Sequence, residues 1–166
     1  MEVSTISLIV SVIALLLAII SIYLITAKKK EKASNNFDTI PLQLQAYERV
    51  VMLCERIAIP NLISRVNQPQ LTAKEMQVVL LENIKQEFEY NTSQQIYISP
   101  IAWDAVRNLR DQNMLIINEV AAMLPDTGKA VDLNKKLLEV IMNQKDQALH
   151  SIVLNALNFE AKKLMS

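Results

Sequence analysis

The chain has 166 residues, with 17 basic and 17 acidic side chains, one cysteine and one glycine. That length accommodates one membrane segment and one modest domain. The single cysteine, Cys54, excludes an intramolecular disulfide, and the single glycine, Gly128, excludes glycine-rich phosphate-binding loops. The residues after position 36 carry a small net negative charge, so nucleic acid is not an expected partner.

An uncharged run rich in Leu, Ile and Val occupies residues 6–26. About 20 helical residues cross the ~30 Å hydrocarbon core of a bilayer, and backbone groups in lipid must bond internally. The run therefore predicts a transmembrane helix. A cleaved signal peptide is the rival interpretation, but it expects basic residues before the apolar run, whereas here they follow it.

A basic cluster after the run predicts the orientation of the chain; its members are Lys28, Lys29, Lys30 and Lys32. Lysines flanking a span stay in the cytoplasm, so the N-terminus is expected outside and the remainder inside. The same lysines could contact anionic lipid. We predict an anchor over residues 1–27, a basic juxtamembrane linker over 28–37 and a cytoplasmic α-helical domain over 38–166.

Small residues in the predicted span follow a spacing of three and four: Ser4, Ser7, Ser11, Ala14, Ala18 and Ser21. Such a stripe lets two helices approach closely in lipid. We hypothesise that Ser7, Ser11, Ala14, Ala18 and Ser21 pack against a second transmembrane helix, in a homo-oligomer or with another membrane protein. The alternative, that small residues are simply tolerated in lipid, stays open.

The rest of the chain has helical patterns throughout. A first helix is expected over residues 41–57, ending before Pro60, with a short turn over 61–66. Thr72 and Glu75 form a capping box that begins a second helix, which fades near residues 91–93. Ser99 and Pro100 begin a third, which stops at residues 125–128. Their expected apolar stripes are Ala46, Tyr47, Val50, Cys54 and Ile57; Ala73, Met76, Leu80, Ile84 and Phe88; and Ala102, Val106, Leu109, Ile116, Val120 and Leu124.

Residues 133–164 fit either one long helix or two, because polar residues 143–146 interrupt the pattern, and we favour two. The expected stripe is Leu137, Ile141, Ala148, Ile152, Ala156 and Phe159. Amphipathic helices must pack on one another. The fold class is therefore all-α: an N-terminal transmembrane helix followed by a bundle of four or five helices.

Candidate catalytic groups are few. His150 is the only histidine, which excludes multi-histidine metal sites, and we expect it to be a partly exposed helix residue. Glu82, Glu87 and Glu89 are expected on a solvated helix face. Arg107 and Asp111, four apart, are expected to form a surface ion pair. No metal or cofactor is predicted, and an enzyme is not favoured.

Aromatic and amide residues are concentrated in residues 86–103, and Phe88, Tyr90, Tyr97 and Trp103 are the candidate partner surface. For these aromatics we favour a structural role at a loop–core junction over the partner surface. The segment QEFEYNTSQQIYISPIAW, with the anchor and LQLQAYERVVMLCERIAIPNLISRV, resembles an uncharacterised family of small bacterial membrane-anchored helical proteins. The resemblance implies an inner-membrane location and no catalytic residues.

The leading hypothesis is a membrane-tethered, non-enzymatic interaction or scaffold protein of the bacterial inner membrane. Its predicted partners are membrane lipid and a protein, either itself or another membrane protein. One alternative is an enzyme or small-ligand binder with a pocket near residues 87–97, using Glu87, Glu89, Tyr90 or Tyr97. Another is a sensor of anionic lipid that uses the lysine cluster.

Overall fold

The computed structural model describes residues 20–22, 39–143 and 147–166, without the side chains of residues 147 and 148. The chain divides into two compact units, Met1–Pro41 and Leu42–Ser166. In the first unit residues 20–22 are helical and exposed, and residues 39–41 are helical. Within the described part of the chain, no helix is both long and apolar enough to cross a membrane. Apart from Ser21, the predicted packing face and the lysine cluster lie outside the described residues.

The described residues form an all-α structure, as the sequence predicts. Helix α1 covers residues 39–57. The remaining elements are α2 (Ile59–Val66), α3 (Ala73–Asn91), the 3₁₀ helix (Thr92–Ile96), α4 (Pro100–Ala122), α5 (Ala130–Asn143) and α6 (Gln147–Met165). Four or five helices were expected, and the described residues hold six α-helices and one 3₁₀ helix.

The extra helix arises at Pro60. The first helix ends at residue 57, as expected, but Pro60 then lies in the first turn of α2, where a missing backbone N–H costs nothing. Asn113 of α4 donates from Nδ2 to the carbonyl oxygen of Ile57 at 2.9 Å. The buried amide thus satisfies a carbonyl at the C-terminal end of α1, where helices lack internal partners.

The predicted helix starts are confirmed at α3 and α4. Thr72 accepts from the backbone N–H of Glu75 at 3.2 Å, and the Glu75 carboxylate accepts from the Thr72 N–H at 2.9 Å. These bonds to Thr72 hold the pKa of Glu75 below its usual value. Ser99 caps α4 by accepting from the Ala102 N–H at 3.0 Å.

One apolar core joins all six α-helices. All the predicted stripe residues of α1 and α3 are buried. In the stripe predicted for α4 only Leu124, which lies beyond the end of that helix at Ala122, is partly exposed. Cys54 is fully buried, as its position in the predicted apolar stripe of α1 indicates. Burial raises the pKa of its thiol to about 12. The largest fully buried side chains are Leu53, Ile57, Leu62, Met76, Leu80, Ile84, Ile117, Leu133, Leu137 and Leu157.

The connections α2–α3 and α4–α5 pair with each other through the backbone. Ala73 donates to the carbonyl of Gly128 at 2.8 Å, and Ala130 donates to that of Leu71 at 3.0 Å. A Cβ on Gly128 would lie 3.0 Å from the Pro125 carbonyl oxygen and 3.4 Å from the Ala73 Cβ. Glycine therefore relieves crowding within the turn from Pro125 to Gly128, where the Gly128 N–H donates to the Pro125 carbonyl at 2.8 Å.

The last region contains two helices, as favoured from the sequence, but the predicted stripe of α6 is wrong. Ile152 and Phe159 are 61 % and 70 % exposed, whereas Val153 and Leu157 are buried. Helix α6 carries two apolar series offset by one position, and the second also contains Leu149, Ala161 and Leu164. The helix packs through this second series, which leaves the first facing outward.

Candidate functional site

A groove of about 520 Å³ lies between α1 and α3, and we call it the α1–α3 groove. The α1 residues that line it are three or four positions apart, so they share one face of the helix. Leu53 is buried at the floor, while Met52 is 54 % exposed. The lining residues are Arg49, Met52, Leu53, Arg56, Gln86, Glu87, Tyr90 and Asn91.

Glu87 is held in the wall of the groove by two arginines. Its Oε1 lies 2.6 Å from Nη2 of Arg56 on α1 and 3.3 Å from Nη1 of Arg65 on α2. The side chain is only 15 % exposed. The hydrogen bond to Glu87 raises the pKa of Arg56 above its usual value. The expectation of a solvated helix face is therefore wrong for Glu87, because the arginines come from helices remote in sequence.

Positive charge exceeds negative charge in this groove. Its lining contains two guanidinium groups, those of Arg49 and Arg56, and one carboxylate, that of Glu87, which Arg65 of α2 also contacts. Among the described residues, Arg49 has no ion-pair partner within 4.0 Å. A guanidinium presents five N–H donors, so Arg56 keeps donors free for a second acceptor. The arrangement can bind a carboxylate or a phosphate group from a partner.

The end of α3 fixes the groove geometry. Asn91 is buried and donates from Nδ2 to the backbone carbonyl of Glu87 at 2.8 Å. Thr92 donates from its hydroxyl to the carbonyl of Phe88 at 2.9 Å. Both bonds tie the end of α3 to its preceding turn, and they hold the last turn, which carries Tyr90.

The structure divides the four aromatic residues of the candidate partner surface. Phe88 and Trp103 are buried in the core, with ring centroids 5.0 Å apart and planes at 31°. The guanidinium of Arg110 covers the outer face of Phe88 at 4.1 Å. Tyr90 is 76 % exposed beside the groove, and Tyr97 is 39 % exposed in the turn before α4. Only these two tyrosines are placed to contact a partner.

A second polar cluster, which the sequence did not indicate, joins α1, α4 and α6. Tyr47 donates from its hydroxyl to Oε2 of Glu160 at 2.5 Å, and Ser99 donates from Oγ to Oε1 at 2.9 Å. The Ser99 N–H donates to the Tyr47 hydroxyl at 3.3 Å. Burial, then the bond to Glu160, raises the pKa of Tyr47 to about 12. The only indication of this cluster in the sequence is Glu160, the single acidic residue of α6.

His150 is partly exposed, as expected, and lines a cavity of about 300 Å³ between α2, α4, α5 and α6. Its Nε2 lies 3.6 Å from Oε1 of Glu55, whose Oε2 accepts from Nδ2 of Asn61 at 3.1 Å. Within the part of the chain that the structure describes, no group of three or more His, Cys, Asp or Glu side chains could hold a metal ion.

The predicted ion pair between Arg107 and Asp111 is wrong. Arg107 pairs with Asp104, three positions earlier, and Asp111 pairs with Arg110 at 2.7 Å. Spacings of three and four residues are both neighbours on a helix surface, so the pattern alone could not choose the partner. Glu82 pairs with Lys85 at 2.8 Å on an exposed surface, as its position suggested.

Comparison with protein families gives a match. The model of a family described as a family of unknown function, DUF7935, covers residues 2–164. No curated protein and no solved structure matches the chain. The expected likeness to an uncharacterised family is therefore confirmed, and no activity can be transferred from a relative.

Proposed function

The chain belongs to DUF7935, a family of unknown function, and we propose that it is a membrane-tethered, non-enzymatic interaction or scaffold protein. The observation that carries the proposal is the surplus of arginine in the α1–α3 groove beside two exposed apolar side chains, Met52 and Tyr90. Arginine and tyrosine are enriched where proteins bind each other. An acidic segment of a partner protein would satisfy both the charge and the apolar surface.

The tether in this proposal is the apolar run of residues 6–26. The lysines at 28–30 and 32 support an inner-membrane location with the N-terminus outside and the helical domain in the cytoplasm. The small residues from Ser7 to Ser21 support pairing with a second transmembrane helix. Replacing Ser11, Ala14 and Ala18 with leucine should weaken association in a membrane two-hybrid assay, and an unchanged signal would contradict this packing.

A small-ligand function is the second candidate, because the groove volume of about 520 Å³ lies within the ~300–1,000 Å³ typical of ligand pockets. Glu87 and Tyr90, two of the residues named for that alternative, line the groove. Against catalysis, Oε1 of Glu87 already contacts two arginines, so it is not free to accept from a substrate. Binding without chemistry fits these contacts better.

Photo-crosslinking in intact membranes separates the candidates. A benzophenone side chain at position 90 should capture a partner protein. The same side chain at position 78 should not capture it, because Val78 is an exposed apolar residue of α3 that lies outside the groove. The captured protein should be lost when Arg49→Glu reverses the charge of the groove. Lys74→Glu, an exposed charge reversal elsewhere on α3, should leave capture unchanged.

Equal capture from positions 78 and 90, or capture that Arg49→Glu does not change, would overturn the groove as the partner site. Absence of any captured protein at position 90 would favour the small-ligand candidate. The tether is tested separately by reporter fusions after Ser166. Activity of a periplasmic reporter there would contradict the cytoplasmic location.

A further inference from the structure

Exposed apolar side chains gather around Ser99 at one end of the helical domain. Ile96 and Tyr97 precede Ser99 and are 74 % and 39 % exposed; Ile101 follows it and is 80 % exposed. Isolated exposed apolar residues are common on protein surfaces, whereas a contiguous group marks a contact surface. Three such residues within six positions form one side of this group.

Helix α6 supplies the other side. Ser99 bonds Glu160 at 2.9 Å, so α6 passes this turn at Glu160, and Phe159 precedes that residue in the chain. Phe159 is 70 % exposed, and Lys162 and Lys163, three and four positions on, are its neighbours on the helix surface. We call the six residues Ile96, Tyr97, Ile101, Phe159, Lys162 and Lys163 the Ser99 patch.

The Ser99 patch contains two lysines and no acidic residue, so its own side chains carry a positive charge. Glu160 points inward and accepts hydrogen bonds from Tyr47 and Ser99. Asp104, three positions after Ile101, pairs with Arg107. Two exposed lysines beside large apolar side chains match the composition of surfaces that lie on anionic membranes. The patch is thus complementary to a lipid surface in both charge and polarity.

The path of the chain also favours a membrane surface as the binding partner of the patch. The domain begins at Leu42, five residues before Tyr47, and Tyr47 bonds both Ser99 and Glu160. Five helical residues rise about 7.5 Å, so the chain enters the domain close to the patch. The ten linker residues 28–37 span at most about 35 Å when extended, which keeps this end within reach of a membrane that holds residues 6–26.

We propose that the Ser99 patch rests on the anionic cytoplasmic surface of the membrane that anchors the chain. This inference rests on the proposed tether. Phe159, Ile101 and Ile96 enter the interfacial layer, while Lys162 and Lys163 contact lipid head groups. Docking of this kind gives a tethered domain a fixed orientation even when each contact is weak, because the tether makes the second contact intramolecular.

The full chain reconstituted in vesicles tests this inference. Cys54 is buried and unreactive, so a fluorophore can be placed on Ala156→Cys, on the exposed face of α6 beside Phe159, or on Val131→Cys, an exposed control on α5. The vesicles contain brominated phosphatidylcholine, alone or in an equal mixture with phosphatidylglycerol. Lipid should quench the label at position 156 in the mixed vesicles, and the label at 131 should stay unquenched.

Removing the two charges should weaken docking strongly. Each lysine near an anionic surface favours the docked state about five-fold, so Lys162→Gln with Lys163→Gln should lower the ratio of docked to undocked chains about thirty-fold. Ile101→Ser with Phe159→Ser should abolish quenching. All four residues are exposed, so an unchanged midpoint of thermal unfolding verifies that each variant is folded.

Each outcome decides between the inference and a rival. Chains that float with the vesicles in alkaline carbonate, with both labels unquenched, would overturn lipid docking and leave the tether intact. A label at position 156 that is shielded from water but not quenched by lipid would identify a protein contact, which also overturns the inference. Chains that do not float would overturn the tether itself.

Discussion

Glu87 and Glu160 each join three elements of this molecule, but they do so with opposite kinds of partner. Glu87 accepts from two guanidinium groups, and Arg56, its nearer partner, is 46 % exposed. Glu160 accepts from the uncharged hydroxyls of Tyr47 and Ser99, both of them partly buried contacts. One carboxylate lies in a charged groove open to solvent, and the other holds α1, α4 and α6 together.

The difference indicates what each cluster can do. Ion pairs that reach solvent contribute little to stability, and their donors stay available for another anion. Hydrogen bonds from neutral donors to a partly buried carboxylate stabilise more, and here they occupy both oxygens of Glu160, so neither is directed at a partner. We therefore assign recognition to the groove of Glu87 and a structural role to the cluster of Glu160.

The variant Tyr47→Phe should have the largest effect and tests the structural role of the Glu160 cluster most directly. The change removes one donor from Glu160 and the acceptor of the Ser99 N–H, so we expect a loss of about 1.5–3 kcal/mol in the free energy of unfolding. Urea denaturation measures it. Tyr90→Phe is the control, because Tyr90 is 76 % exposed. Equal effects of the two variants would remove the structural role of the cluster.

Alkaline pH should weaken the same cluster without a mutation. The pKa of Tyr47 is raised from 10.0 to about 12, so the folded chain holds this proton more tightly than the unfolded chain. The resulting stability is fully present below pH 10 and is lost as the pH rises towards about 12. Urea denaturation at increasing pH should show a decline that Tyr47→Phe lacks. Parallel declines in both proteins would contradict the assignment.

Ser99→Ala should have a smaller effect. It removes the cap of α4 and one of the bonds to Glu160, and capping serines are worth about 0.5–2 kcal/mol. Ser99→Thr retains the hydroxyl and should recover most of the stability. If the alanine and threonine variants melt at the same temperature, the hydroxyl does not have this role.

The smallest stability effect is expected for Glu87→Gln. The loss of two partly exposed ion pairs should cost about 0.5–1 kcal/mol. Capture of the partner at position 90 should nevertheless increase, because the groove gains net positive charge. Glu82→Gln, which breaks one exposed pair with Lys85, is the matched control for both measurements. Reduced capture with Glu87→Gln would show that the partner contacts this carboxylate directly.

Local sequence patterns were sufficient where one stripe and one cap dominate. Helix α3 has a complete capping box at Thr72 and Glu75, and its buried apolar residues recur at helical spacing on one face. The start of α4 at Ser99 and Pro100 was predicted for the same reason. Caps and periodicity act within a few residues, so they can be read without knowing what the helix contacts.

Patterns failed where two local solutions are nearly equal. Helix α6 offers two apolar series, and packing of Val153 and Leu157 in the core, together with the contacts of Glu160, selects the buried one. Arg107 had acidic neighbours three positions before it and four after it, and it pairs with the former. Pro60 could end one helix or begin another. A choice of this kind depends on packing against distant elements.

The sequence by itself determined that this protein is all-α, where its capped helices begin and which faces of α1, α3 and α4 are buried, because propensity, capping and periodicity are local. Only the tertiary structure decided which tyrosines reach the surface, which side of α6 faces outward and which arginines hold Glu87. Those outcomes depend on residues that lie far apart in the chain and meet only when the helices pack.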